Sequence, residues 1–178
     1  MINKEDFFSI ISRYLILLIF AISNLAIFYI IFTPLTAYPV YWILGLFFDT
    51  ALLSNTIIII NNSFSIELIE ACIAGSAYYF LLILNLSTPK IKLKTRIYGV
   101  IFSFLVFLIL NILRISILSL IAISGSSFFD ITHKIFWYLV STILVVGIWF
   151  LEVKIFKIKE IPFYSDLKTI YKKSVFKK

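Results

Sequence analysis

The chain has 178 residues, 62% of them hydrophobic and 18% aromatic, with a mean hydropathy of +1.07. That is more apolar surface than a soluble core of this size can bury, so the chain reads as an integral membrane protein. One cysteine excludes an internal disulfide, one histidine excludes a Cys/His zinc cage, and the net charge of +7 lies beside apolar runs and in the tail, where it serves topology and anionic lipid rather than nucleic acid.

A polar leader, Met1 to Arg13, precedes an apolar run from Tyr14 to Phe32, about 19 residues and long enough to span. No small-residue cleavage site closes the run, which predicts a retained helix with Ser23 and Asn24 facing other helices. Pro34 and Pro39 predict a break across Thr33 to Pro39. Val40 to Leu53, with Tyr41, Trp42 and Asp49, is expected to lie in the membrane interface or to make half a span. The β-branched run Thr56 to Ile60 and the alternating run Ser63 to Ile69 flank Asn61-Asn62, which predicts a hairpin packed on protein or lying in water.

Ala71 to Leu86 is the second expected span, with small residues at Ala71, Ala74, Gly75, Ser76 and Ala77 for close helix approach. Lys90, Lys92, Lys94 and Arg96 then mark a short connector as cytoplasmic. The third span, Ile97 to Ser124, is about 28 residues or roughly 42 Å, longer than the hydrocarbon core. Gly125-Ser126-Ser127 turns the chain into a fourth span, Ile131 to Leu151, and a lysine-rich tail follows.

The connector and the tail must share a side, which puts Cys72, the 124–131 turn and the carboxylates Asp49, Glu67, Glu70 and Asp130 on the other. The expected fold is an all-α polytopic bundle of four transmembrane helices, or five with the N-terminus outside, plus a small extracytoplasmic β-hairpin and an interfacial helix. Residues 1–152 are expected to form one transmembrane domain, and 153–178 a basic cytoplasmic tail on the inner leaflet.

Cys72 opens the second span. A helix starting within about a turn of it would set unpaired N–H groups and a positive dipole end at the sulfur, an environment that lowers a thiol pKa. Arg114 lies deep in the third span, where a charge costs on the order of 3 kcal/mol and marks a functional position by default. Asn111, one turn earlier on the same face, is placed to orient it. His133 starts the fourth span at a matching depth. Thiol, guanidinium and imidazole on one face suffice for acyl transfer: attack by the thiolate, oxyanion stabilisation by Arg114, proton transfer through His133.

The run from Thr33-Pro34-Leu35-Thr36 through the Ile-rich ribbon to Ile69-Glu70-Ala71-Cys72, then Asn111-x-x-Arg114, then His133 opening the last helix, resembles the exosortase/archaeosortase family, and in length a small archaeosortase. The likeness covers roughly Thr33 to Leu151. It implies a membrane cysteine transpeptidase with Cys72, Arg114 and His133 as the catalytic set, supported by Glu70, Gly75 and Asn111, and needing no cofactor or metal. The implied partners are exported proteins with a C-terminal tail of motif, transmembrane helix and basic cluster, cut at the outer face and released or passed to a membrane lipid. The family pattern has Cys, Ser or Thr, then Gly; here Cys72-Ile73-Ala74-Gly75 sets the glycine one place later and has no hydroxyl.

Two other classes stay open. A metal-assisted transferase acting on a lipid-linked phosphate would use Asp49, Glu67, Glu70 and Asp130. A non-catalytic membrane scaffold would tolerate loss of the Cys72 thiol.

Overall fold

A computed structural model describes residues 4–23 and 25–173, so Asn24 and the last lysines, Lys177 and Lys178, lie outside the described residues. The helices are α1 (Lys4–Ile22), α2 (Ala26–Gly45), α3 (Glu70–Ile73), α4 (Gly75–Leu86), α5 (Leu93–Ile123), α6 (Phe129–Ile135), α7 (Ser141–Ile155) and α8 (Tyr164–Lys173). A π-helical turn, Phe136–Val140, joins α6 to α7. Among the described residues, three helical stretches are long and apolar enough to cross a membrane: Ala26–Gly45, Leu93–Ile123 and the continuous Phe129–Ile155.

The first apolar run is not one helix. It stops at Ile22, Leu25 takes a left-handed conformation (φ 59°), and α2 starts afresh at Ala26. The prolines do not break the chain where expected, since Pro34 and Pro39 both lie inside α2. A buried stripe outweighs their local preference: Phe28, Phe32, Thr36, Val40 and Leu44 recur every fourth residue on the core side. Without water, a helix that keeps its remaining backbone bonds beats any irregular alternative, which is why proline is tolerated in apolar helices. The expected interfacial helix from Val40 to Leu53 is therefore absent. Val40 to Gly45 completes α2, and Thr50–Leu52 becomes a strand, β1.

The hairpin is as the sequence indicates, Ile57–Ile60 (β2) against Phe64–Glu67 (β3), with Asn61 and Asn62 both at positive φ (49° and 53°). Asparagine tolerates that conformation better than most residues, and the right-handed strand twist favours it in a tight hairpin. The Asn61 N–H donates to Asp49 O at 2.8 Å, and the Asp49 N–H donates to Asn61 Oδ1 at 3.2 Å. These bonds hold β1 on the free edge of β2, so the sheet has order β1-β2-β3. Ile58 and Ile60 are buried, so the ribbon packs on the bundle.

Aromatic rings lock α2, α4 and α5 together. The Tyr78 ring stacks on Phe32 at 3.6 Å between centroids and meets Phe107 edge-on at 4.9 Å. Such pairs are worth about 0.5–1.5 kcal/mol each beyond their burial. At the far end from the sheet, the connector and the tail come together: Lys90 Nζ lies 2.8 Å from Glu160 Oε1, and the Phe163 N–H donates to Ser87 O at 3.0 Å. The basic segments thus share one end of the bundle, and the sheet, Cys72 and the turn before α6 occupy the other.

Candidate functional site

The expected helix from Ala71 to Leu86 is broken. The four-residue α3 ends at Ala74, which has φ 59°, and α4 begins at Gly75. Two contacts explain the break. A Cβ at Gly75 would lie 2.8 Å from the Tyr29 ring, so only glycine lets α2 approach this closely. The carbonyls that the break leaves unpaired also find donors on α5, as helix ends in an apolar medium require. Asn111 Nδ2 donates to Cys72 O at 2.9 Å and lies 3.5 Å from Ile73 O, while Arg114 Nη2 donates to Ala71 O at 3.5 Å.

The consequence for Cys72 differs from the sequence expectation. Its own N–H is bonded to Ile69 O at 2.8 Å, and α3 is too short to present a substantial dipole. Burial is the largest influence on the thiol and disfavours its charged form, and the Ile69 backbone N–H and the Arg114 guanidinium, which favour a charged sulfur, offset it only in part. The thiol is half-buried.

Arg114 is 6% exposed, and among the described residues no carboxylate pairs with it. Its Nη1 donates to Ser141 Oγ, and Ser141 in turn donates to Phe136 O at 2.9 Å. That second bond runs from residue i to i−5, the spacing of a π turn, so the π segment sets the hydroxyl facing Arg114. Single π turns inside α-helices recur at functional sites. The Nε of Arg114 is buried without a hydrogen-bond partner, as is Oδ1 of Asn111.

A cleft of about 530 Å³ opens beside this group, lined by Glu70, Ala71, Ala74, Arg114, Trp137 and Ser141 among others. The volume falls in the range of small-ligand sites. Cys72 and Asn111 do not line it, although Cys72 follows Ala71, which does. Glu70 does line it, and no ion pair joins Glu70 to Arg114.

The structure therefore brings together Cys72, Asn111 and Arg114, with Glu70 and Gly75 at the edges. His133 stands at the same end of the bundle, half-buried on α6, with its ring stacked on Phe129 at 5.5 Å and 10°. No hydrogen bond joins it to the thiol among the described residues. Of the carboxylates Asp49, Glu67, Glu70 and Asp130, Glu67 and Asp130 line one cleft and Asp49 and Glu70 lie in others, and among the described residues no three His, Cys, Asp or Glu side chains are grouped to hold a metal. Two residues that the sequence reading gave no part in the site belong to it. Ser141 shows in the sequence only as a hydroxyl in an apolar span, and Ala74, read there as one of a small-residue face, gave no sign of its left-handed conformation, for which alanine has no preference.

The chain matches no protein-family model, no curated protein and no solved structure.

Proposed function

We propose that the chain is a membrane cysteine peptidase or transpeptidase that cuts the C-terminal sorting tails of exported proteins at the extracytoplasmic face. One observation carries the reading: the break at Ala74 sets Cys72 next to Ala71, whose carbonyl accepts from the buried Arg114 guanidinium, which has no acid partner among the described residues, beside a cleft of small-ligand size. Position 74 is also where the resembled family has its glycine, and Ala74 adopts the conformation for which glycine is best suited.

In this reading His133, swung off Phe129, takes the Cys72 thiol proton, the sulfur attacks the scissile carbonyl carbon to form a C–S bond, and Arg114 stabilises the oxyanion. The C–N bond then breaks, and the imidazolium passes that same proton to the leaving amine. Water or a membrane lipid resolves the thioester and restores the thiol. Basic connector and tail lie in the cytoplasm, the site lies outside, and α1 with α2 counts as one interrupted crossing in a total of four.

The test is processing of a tailed surface protein in cells carrying Cys72→Ala, with a membrane-impermeant thiol reagent applied to intact cells. Lost processing together with labelling of the single wild-type cysteine from outside supports the reading. Normal processing in Cys72→Ala removes it and leaves the scaffold reading, in which Asn111 and Arg114 serve only to cap α3.

A further inference from the structure

A second cleft, of about 670 Å³, lies at the opposite end of the bundle from Cys72. Its walls come from α1, the 87–92 connector, the start of α5, the 156–163 segment and α8. Five cations line it, Arg13, Lys90, Arg96, Lys159 and Lys168, against two carboxylates, Glu160 and Asp166, a local excess of 5 − 2 = +3.

The two arginines are built into the fold, at 8% and 9% exposure. Arg13 Nη1 donates to Leu86 O at 2.8 Å and its Nη2 to Asp166 Oδ1 at 2.9 Å. Arg96 donates from Nη1 to Asn85 O and from Nη2 to Thr88 O at 2.7 Å, so it caps the carbonyl end of α4. Among the described residues no carboxylate pairs with Arg96. Asp166 is shared between the Arg13 guanidinium and the Tyr14 hydroxyl, which donates to its Oδ2 at 3.2 Å. One carboxylate thus faces two clustered guanidinium groups, and Lys159 and Lys168, both exposed, add charge at the mouth.

Three isoleucines line the same cleft, Ile161 exposed and Ile10 and Ile91 half-buried. Buried cations together with aliphatic side chains nearer the surface complement a molecule with an anionic head and hydrocarbon tails. We propose that this cleft holds the phosphate of one anionic glycerophospholipid from the leaflet that meets the basic end, with the acyl chains leaving past the isoleucines. Arg96 and Arg13 face the phosphate from below, and Lys159 and Lys168 close on it from the water side. The bound lipid then joins α5 to α1 and α8, the last two being tied to each other through Arg13 and Asp166.

Native mass spectrometry of the full chain, purified in equal parts phosphatidylglycerol and phosphatidylcholine, tests this. The expected spectrum shows one retained phosphatidylglycerol per chain. Lys159→Gln with Lys168→Gln should weaken retention on the order of 20-fold, since each basic residue near an anionic lipid surface contributes about fivefold. Lys94→Gln with Lys154→Gln, which removes the same charge from exposed positions outside the cleft, should retain the lipid. No retained lipid, equal retention of phosphatidylcholine, equal loss in both double variants, or full displacement by millimolar inorganic phosphate would each overturn the proposal; the last would identify a free-anion site.

Discussion

The side-chain amide of Asn111 donates to the main-chain carbonyl of Cys72 at 2.9 Å, across 39 positions of sequence. This bond fixes the end of α3 to the middle of the longest helix, at the one point where the chain around the cysteine departs from helical geometry. Asn111→Leu, close in volume but without the donor, leaves two buried carbonyls unpaired. It should lower stability by about 1–3 kcal/mol, read as a lower midpoint for thermal aggregation in detergent, with a matching fall in activity.

Neighbouring positions at the break should respond in opposite directions. Ala74 is an L-residue held at φ 59°, so Ala74→Gly should be neutral or raise stability by up to about 1 kcal/mol. Gly75→Ala drives a methyl into the Tyr29 ring at 2.8 Å and should cost about 1–3 kcal/mol. Melting of the two single variants side by side checks the sign.

At the other end of the bundle, a Cβ at Gly99 would run into Glu152 Oε1. Glu152 is fully buried and accepts a bond from Asn85 Nδ2 at 2.9 Å, so it has little room to withdraw. Gly99→Ala should destabilise by about 1–3 kcal/mol, and Gly99→Ala with Glu152→Ala should recover part of that loss. A double-mutant cycle giving a coupling below about 0.5 kcal/mol would show the two sites to be independent.

The buried Arg13–Asp166 pair ties α8 to α1. Removing one partner of a buried pair leaves a charge uncompensated and costs about 3–5 kcal/mol. Asp166→Asn should therefore release Tyr164–Lys173 from the bundle, seen as faster amide exchange there with the sheet end unchanged.

What the sequence made legible was mostly local. The hairpin followed from Asn61-Asn62 between β-branched runs, and α5 from its length and basic start. The shared face of Asn111 and Arg114 followed from helical spacing alone. Pro34 and Pro39 misled because propensity is a local quantity and the stripe from Phe28 to Leu44 acts through packing. The interruption at Ser23–Leu25 and the break at Ala74 depend on contacts between helices distant in sequence, above all Tyr29 on Gly75, which no single window contains. His133 opens a helix after the 124–131 turn, while the stacking of its ring on Phe129 was beyond reach of the pattern.

The central claim is that Cys72 forms a covalent acyl intermediate. Purified protein incubated with a peptide spanning a sorting tail, quenched in acid and analysed by intact-mass and fragment mass spectrometry, tests it directly. The account predicts a hydroxylamine-sensitive adduct on Cys72, absent in Cys72→Ala and at least about tenfold less abundant in Arg114→Gln. Turnover of the peptide by Cys72→Ala at the wild-type rate, with no adduct on the wild-type cysteine, would contradict it.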